Sequence, residues 1–301
     1  MMNTLLRLAA AGALSIALNQ PATAADNPGI DIAAIEQTTG LKGKYSKEEN
    51  VFKISKPRTD VKVEVDQWQL PPFMGLTSWA AFTPVHNHVM MMGDTVVFED
   101  EVNPAMDAAF EAGLEVTALH NHFFFDKPKV YFMHIGGMGS EEQLAKGVRN
   151  VYDRIAAFRK EHPEPQQQFL GNIPSTSSIS AEPLERILGL KGESKDGMWK
   201  MSVGRTSSMH GVKIGNAMGV NTWAAFAGTD DQAVVDGDFA MLKDEMQPIL
   251  KTMRAGGINI VAIHQHMTED DPHYFFMHYW GKGKAEDLAK VIKQALDKQS
   301  K

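Results

Sequence analysis

The sequence predicts an α+β protein built from two tandem, ferredoxin-like modules of the βαββα type, each with an antiparallel sheet. Three observations predict this fold. Residues 75–146 align with residues 219–290 without a gap. Both aligned segments alternate strand-like and helix-like patterns. A stretch rich in proline, glutamine and serine separates the two copies, as in a linker.

The duplication fixes the domain boundaries, because internal similarity at a constant offset marks repeated units. The matches include Trp-Ala-Ala-Phe at 79–82 and 223–226, Gly-Asp at 93–94 and 237–238, and Phe-Met-His at 132–134 and 276–278. Upstream, Gly-Leu-Lys-Gly at 40–43 resembles the same string at 189–192. We therefore expect a first module at 26–160, a linker at 161–180 and a second module at 181–301.

The elements of the first copy follow from local patterns. Strands are expected at 51–55, 61–65, 78–82, 115–124 and 130–135, and helices at 103–110 and 140–157. The first two strands alternate apolar and polar residues. Pro104 begins the first helix and Gly113 ends it, whereas Ser140 caps the second. The second copy repeats the order, with helices at 238–255 and from 284, and strands at 258–266 and 273–280. Asp94 and Asp238, each after a glycine, are expected to shape turns.

The N-terminus resembles a cleaved signal peptide at residues 1–25. Arg7 precedes an apolar stretch at 8–18, and Ala22-Thr23-Ala24 supplies a small-x-small cleavage pattern. The apolar stretch is too short for a membrane span, which takes roughly 20 residues. The chain has no cysteine, so it lacks the acylated residue of a lipoprotein and cannot form disulfides. These features predict a periplasmic or secreted protein that is not a lipoprotein.

Charge and motifs exclude several classes of partner. A formal net charge of −7 without a basic stripe argues against nucleic acid. No Gly-rich phosphate loop, Gly-x-Ser-x-Gly elbow or His-Glu-x-x-His helix is present, so no nucleotide cofactor is expected. A metal ion or small-molecule ligand remains the expected partner, and nothing in the sequence indicates an oligomeric state.

The histidines carry the functional prediction. His120 and His122 lie two residues apart on a predicted strand, so they share a face. The next strand brings His134 alongside them. It shares their face if the numbers of two directly opposed residues add up to an even value, and it lies on the other face if the sum is odd. Three imidazoles from adjacent strands are typical of a zinc or copper site with an open position.

The second copy repeats the triplet as His264, His266 and His278. The first copy adds His86 and His88, whose counterparts are Asp230 and Gln232, so it is the richer site and the expected main one. A simpler interpretation is also open, in which the histidines are core residues that donate hydrogen bonds to backbone carbonyls.

Methionines and one carboxylate bear on the chemistry. Met90-Met91-Met92 follows His88, and Met133 and Met277 precede the third histidine of each copy. Thioethers suit Cu(I), although methionine is also an ordinary core residue. Glu101 either complements the dipole of the helix that follows it or acts as a general acid or base.

Six strings together resemble the LppY/LpqO family of exported bacterial proteins: Arg-Thr-Asp at 58–60, Ser-Trp-Ala-Ala-Phe at 78–82, Gly-Asp at 93–94, Glu-Asp-Glu-Val-Asn-Pro at 99–104, Thr-Ala-Leu-His-Asn-His at 117–122 and Met-His at 133–134. The resemblance covers nearly the whole chain after residue 25. It implies an exported protein and brings no settled reaction. The second copy departs from it at Gln265, Asp230 and Gln232.

The leading hypothesis is a metal-binding protein whose main site uses His120, His122 and His134, with His86 and His88 completing or flanking it. One alternative is a metal-dependent hydrolase that acts on an envelope component. Another is a non-catalytic module that binds a ligand or serves as a scaffold.

Overall fold

The computed structural model describes residues 29–300. The predicted signal peptide at 1–25 lies outside these residues. Within them, the helices are α1 Ile32–Thr39, α2 Val102–Glu111, α3 Glu141–Glu161, α4 Ala181–Leu188, α5 Lys243–Ala255 and α6 Ala285–Leu296. None of these helices is long and apolar enough to cross a membrane.

The strands belong to one large sheet and two small ones. The strands of the first copy are β1 Gly43–Ser46, β2 Val51–Pro57, β3 Val63–Val65, β4 Trp68–Leu70, β5 Thr77–Val85, β6 His88–Phe98, β7 Glu115–His120, β8 Asp126–Lys127 and β9 Val130–Gly139. Those of the second copy are β10 Glu193–Lys195, β11 Met198–Gly204, β12 Ser207–Met209, β13 Val212–Ile214, β14 Asn221–Gly228, β15 Ala233–Met241, β16 Asn259–His264 and β17 Phe275–Gly283.

The two copies share one twelve-stranded sheet, in the order β1-β2-β5-β6-β9-β7-β16-β17-β15-β14-β11-β10. The second half repeats the order of the first in reverse, as an approximate twofold axis requires. The halves meet where β7 and β16 pair antiparallel, with Leu119 opposite Ile263. The prediction of a mixed fold with antiparallel pairing and an internal repeat is therefore confirmed, but the modules contribute halves of one sheet.

The structure does not show the predicted βαββα order, because each copy has an extra strand before its main helix. Residues 88–98 form β6, so Asp94 lies within a strand. Asp238 likewise lies in β15, and α5 begins only at Lys243. The expected turns at these aspartates and the expected helix start at residue 238 were wrong. The glycine before each aspartate had suggested a turn, yet it serves close packing: a Cβ at Gly93 would lie 2.8 Å from the backbone oxygen of Trp79.

All six helices of the described chain contribute to the core on one side of the sheet. Apolar residues of the central strands, such as Leu119, Met133, Ile263 and Met277, belong to the same buried cluster as the helix residues. Since side chains alternate along a strand, the residues between them face the opposite side. We call that side the open face. The hairpin β3–β4 packs on part of it through a cluster that includes Val63 and Phe132, and the hairpin β12–β13 packs on another part through Ile214.

Polar contacts between helices and strands also join the halves. Arg254 of α5 makes a bidentate ion pair with Asp107 of α2, with both N–O distances at 2.8 Å. The Gln247 side chain bridges both backbone groups of Val116 at the start of β7. These contacts hold the two halves in one register, which places their functional residues on a common surface.

The segment between the copies packs against the second half at its C-terminal end. The α3 helix ends at Glu161 and α4 begins at Ala181. Within the segment, Ile179 is buried in the main core, and the backbone N–H of Ser178 donates to the carbonyl of Gly228. The end of the segment is therefore held against the second module, whereas the backbone N–H of Gln166 near its start donates to Asp100 of the first module.

Candidate metal centre

The histidine triplet of the first half lies on the open face, at the end of β7 and the middle of β9. The pairs Ala118–His134 and His120–Phe132 stand opposite each other in the β7–β9 ladder. Their residue numbers both sum to an even value, so His120 and His134 share a face. One of the two alternatives left open by the sequence is thus selected.

His122 lies just beyond the strand, because β7 ends at His120 instead of residue 124. Its ring stacks on the buried Phe132 ring at a centroid distance of 3.3 Å. It also lies 5.1 Å from the His120 ring. Stacking therefore keeps His122 at the triplet although the strand no longer sets its direction.

Asp94 is a site residue that sequence reasoning missed, as is Asp238 of the second half. In the β6–β9 ladder it stands directly opposite His134, and it is 9% exposed. Its Oδ1 lies 3.9 Å from His134 Nε2 and has no hydrogen-bond partner. The signal was present, because Gly-Asp recurs at the matching position of the second copy. A single sequence does not say that this pair lies in a strand beside the histidines.

The first half therefore brings together one carboxylate and three imidazoles. His120 Nε2 and His134 Nε2 are 3.1 Å apart. Two nitrogen ligands on one tetrahedral zinc ion lie about 3.3 Å apart, given metal–nitrogen distances near 2.0–2.1 Å. The pair is thus close to the spacing that a shared ion requires. Without an ion, one ring must donate a hydrogen bond and the other accept it.

The second half forms the more compact group. The ligand atoms of Asp238, His264 and His266 all lie within 4.8 Å of one another, so this group could hold a metal ion. His266 Nε2 is 3.3 Å from Asp238 Oδ2, again the spacing of two ligands on one tetrahedral ion. The His278 ring stacks on His264 at 4.8 Å, and its Nδ1 is 3.3 Å from the carbonyl oxygen of Gly237.

Burial shifts the protonation of this group. Burial, together with positive charge on His278 and His266, lowers the pKa of His264 to about 4. Burial also raises the pKa of Asp238, against the opposing influence of His278 and His266. His264 Nδ1 and Asp238 Oδ1 are buried without a hydrogen-bond partner. Such atoms are costly to leave unpaired, so each is a donor atom that a bound cation would satisfy.

In the first half, burial likewise lowers the pKa of His122, and His120 and His134 lower it further. Neutral imidazoles are the form that binds a metal ion, because protonation removes the lone pair. Both halves therefore favour the ligating form of at least one histidine below neutral pH.

His86 and His88 are not brought to the triplet. They lie at the turn between β5 and β6, where Val85 pairs with His88. Six residues separate His88 from Asp94 along the extended strand, a distance of about 20 Å. The expectation that His86 and His88 complete the site was wrong, and with it the reason for ranking the first copy above the second.

The carboxylate of Glu101 is occupied by partners other than the histidines, so it does not act on them as an acid or base. Its carboxylate is 0% exposed and accepts hydrogen bonds from Arg58 at 2.8 and 3.0 Å, from Arg159 at 2.8 Å and from the Phe98 N–H at 3.0 Å. Burial acts to lower the pKa of Arg58, but the carboxylates of Asp60 and Glu101 raise it above its usual value. Every oxygen of Glu101 is thus engaged in an ion cluster, which was not among the roles expected for it.

Two of the methionines noted beside the histidines face the wrong way to act as ligands. Met133 and Met277 are 0% exposed and belong to the core on the helix side. The carboxylates of Asp126, in β8, and of Asp270 have a local structural role: each accepts a backbone N–H four residues on, from Val130 and Tyr274.

The approximate twofold axis brings the two histidine groups next to each other. Since Leu119 pairs with Ile263, the Cα atoms of His120 and His264 lie about 8 Å apart on the open face. From one half to the other, the strands present Trp79, Asp94, His134 and His120, then His264, His278, Asp238 and Trp223. One surface therefore carries both candidate centres.

Comparison with known proteins adds the family. No curated protein matches the chain. The crystal structure of the trimeric bacterial microcompartment shell protein PduB is 10% identical, with 84% of this chain and 88% of that chain covered and a TM-score of 0.22. A double-ringed trimeric shell protein from the RMM microcompartment is 11% identical, with 71% and 83% covered and a TM-score of 0.19. The family described as Domain of Unknown Function (DUF1259) matches residues 33–154 and again 182–298. Because these matches span most of the sequence, the chain belongs to the DUF1259 family, and it contains two copies of the family's domain.

Proposed function

We propose that the chain is an exported metal-binding protein that holds a zinc or copper ion at Asp238, His264 and His266. The observation that carries the proposal is the convergence of these three ligands within 4.8 Å. Two imidazoles and one carboxylate are a common ligand set for both metals. His278, stacked on His264, is placed to complete or support the set.

The first half supplies a second, looser centre from Asp94, His120 and His134. His122 stacks beside it on Phe132. The same set of one aspartate and three histidines recurs at the same offset in both halves. A role confined to core packing would not explain why one carboxylate oxygen of Asp238 and one ring nitrogen of His264 remain buried without a hydrogen-bond partner.

A metal titration tests the proposal. Zinc and copper(II) would be titrated into the untagged chain lacking residues 1–25, after chelator treatment, with elemental analysis of the protein as isolated. The variant His264→Gln/His266→Gln removes two ligands and is expected to weaken the tightest site at least 100-fold. The matched variant His120→Gln/His122→Gln is expected to affect only the weaker equivalent.

His86→Gln/His88→Gln is the control, because these exposed histidines lie far from both centres. Its affinities should equal those of the wild-type protein. Wild-type protein that contains and takes up no zinc or copper would refute the proposal. Equal binding by the wild-type protein and the His264→Gln/His266→Gln variant would refute the assigned ligands.

The location is a separate part of the proposal. The N-terminal pattern and the resemblance to the LppY/LpqO family support export with cleavage after Ala24 or Ala25. N-terminal sequencing of protein from the periplasm and the medium tests it. A chain that keeps Met1 and stays in the cytoplasm would contradict it.

A further inference from the structure

Three methionines form an exposed stripe on the open face of the first half. Along β6, Met91 is buried, whereas Met90 is half-buried and Met92 is 57% exposed. On the neighbouring strand β9, Met138 is 62% exposed. Alternation along the strands therefore separates Met90 and Met92 from Met91, and a third methionine that is distant in sequence joins them.

The strand register brings the three thioethers together. Met90 stands directly opposite Met138, and Met92 stands opposite Gly136, two residues from Met138. Directly opposed residues have Cβ atoms about 5 Å apart, and diagonal neighbours about 7 Å apart. Methionine side chains have three rotatable bonds, so all three sulfur atoms can reach a common point above Gly136.

The fold itself does not require methionine at these positions. The matching residues of the second half are Val234, Asp236 and Lys282, on strands paired in the same way. Large apolar side chains that are exposed together usually indicate a binding surface. Stability alone therefore does not explain the stripe.

The stripe leads from one histidine to the others. His88, Met90, Met92 and Asp94 alternate along the same face of β6, each about 7 Å from the next. His88 is exposed at the turn, and Asp94 stands opposite His134 in the candidate centre. The stripe thus connects solvent at the edge of the sheet with the histidine group in the middle.

We propose that Met90, Met92 and Met138 form a Cu(I) site that passes the ion from His88 to Asp94, His134 and His120. Thioether sulfur is a soft ligand that selects Cu(I) over zinc. The transfer is ligand exchange: one copper–sulfur bond breaks as a copper–nitrogen bond forms, and the oxidation state does not change. The destination rests on the proposed metal centre, whereas Cu(I) binding by the thioethers does not.

The test is a Cu(I) titration of the complete chain without oxygen, in competition with a chromophoric Cu(I) chelator, next to a zinc titration. The variant Met90→Leu/Met92→Leu/Met138→Leu keeps the apolar volume and removes the sulfur. The control Met74→Leu/Met198→Leu/Met218→Leu changes three exposed methionines elsewhere. We expect the stripe variant to lose one Cu(I) equivalent, or to bind it at least 10-fold more weakly, with zinc binding unchanged. The control should behave as wild type.

Equal Cu(I) binding by the stripe variant and the wild-type protein would overturn the proposal. If the wild-type protein binds no zinc or copper(II) but does bind Cu(I), and the stripe variant loses that Cu(I), the thioether site is supported and the histidine centre is refuted. Failure of the thioether site and failure of the histidine centre therefore give different results. His88→Gln is expected to slow Cu(I) uptake at least 10-fold without changing the final occupancy. Unchanged uptake would overturn the entry role of His88.

Discussion

His264 should make the stability of the metal-free protein depend on pH, and His264→Gln should remove that dependence. Burial, with a smaller contribution from His278 and His266, lowers the pKa of His264 from 6.5 to about 4 in the folded protein. Between these values the unfolded chain binds a proton that the folded protein does not. Stability therefore rises with pH through this window, and the destabilisation is complete below about pH 4.

The magnitude follows from linkage. Near pH 5 the difference approaches one proton, which corresponds to a slope of about 1.2 kcal/mol per pH unit. From pH 7 to pH 5 the contribution of His264 integrates to about 2 kcal/mol. Because the ring is partly exposed, solvent screening reduces this to about 1 kcal/mol.

The assay is urea unfolding in EDTA at half-unit steps from pH 5 to pH 7. The wild-type protein should lose about 1 kcal/mol more than His264→Gln over this range. His86→Gln, at an exposed turn, controls for the loss of a histidine as such. Parallel pH profiles for the wild-type protein and His264→Gln would refute the reasoning, as would an NMR titration of His264 near pH 6.5.

Two further changes test the fold around the site. Glu101→Ala leaves Arg58 and Arg159, each 6% exposed, without their shared carboxylate. The free energy of unfolding, measured by urea unfolding, should therefore fall by about 3–5 kcal/mol. Gly197→Ala should also destabilise the protein, by more than 1 kcal/mol, because the Cβ would lie 1.9 Å from the backbone oxygen of Ser177 at a φ of +76°; thermal unfolding measures it.

Matched residues of the second half and a free turn serve as controls. Glu245→Ala removes the partner of one arginine, Arg205, instead of two, so its effect should be smaller than that of Glu101→Ala. An equal or larger loss would contradict the cluster argument. Gly211 has the same φ of +76° but open space around it, so Gly211→Ala isolates the backbone strain. If Gly197→Ala reduces the stability no more than Gly211→Ala does, the close contact at residue 197 is relieved at no cost in stability.

The strands β2, β5, β7 and β9 could be predicted because their patterns are local. Alternation at 51–55, and Asn103-Pro104 in the first turn of α2, depend on neighbours along the chain. Glycine was the misleading signal: Gly93 and Gly237 suggested turns, whereas Gly93 is required where backbone from an adjacent strand approaches, and Gly237 where the Tyr279 hydroxyl approaches. Such contacts come from residues far away in sequence, which local patterns do not contain.

The sequence by itself determined the duplication, the antiparallel mixed fold and the histidine triplets, because each is visible in the identity and spacing of residues along the chain. Only the tertiary structure decided which residues meet those histidines. Strand order placed Asp94 and Asp238 opposite them, left His86 and His88 about 20 Å away and committed Glu101 to two arginines. The physical reason is that a binding site depends on the register between strands, which is set by packing of the whole sheet.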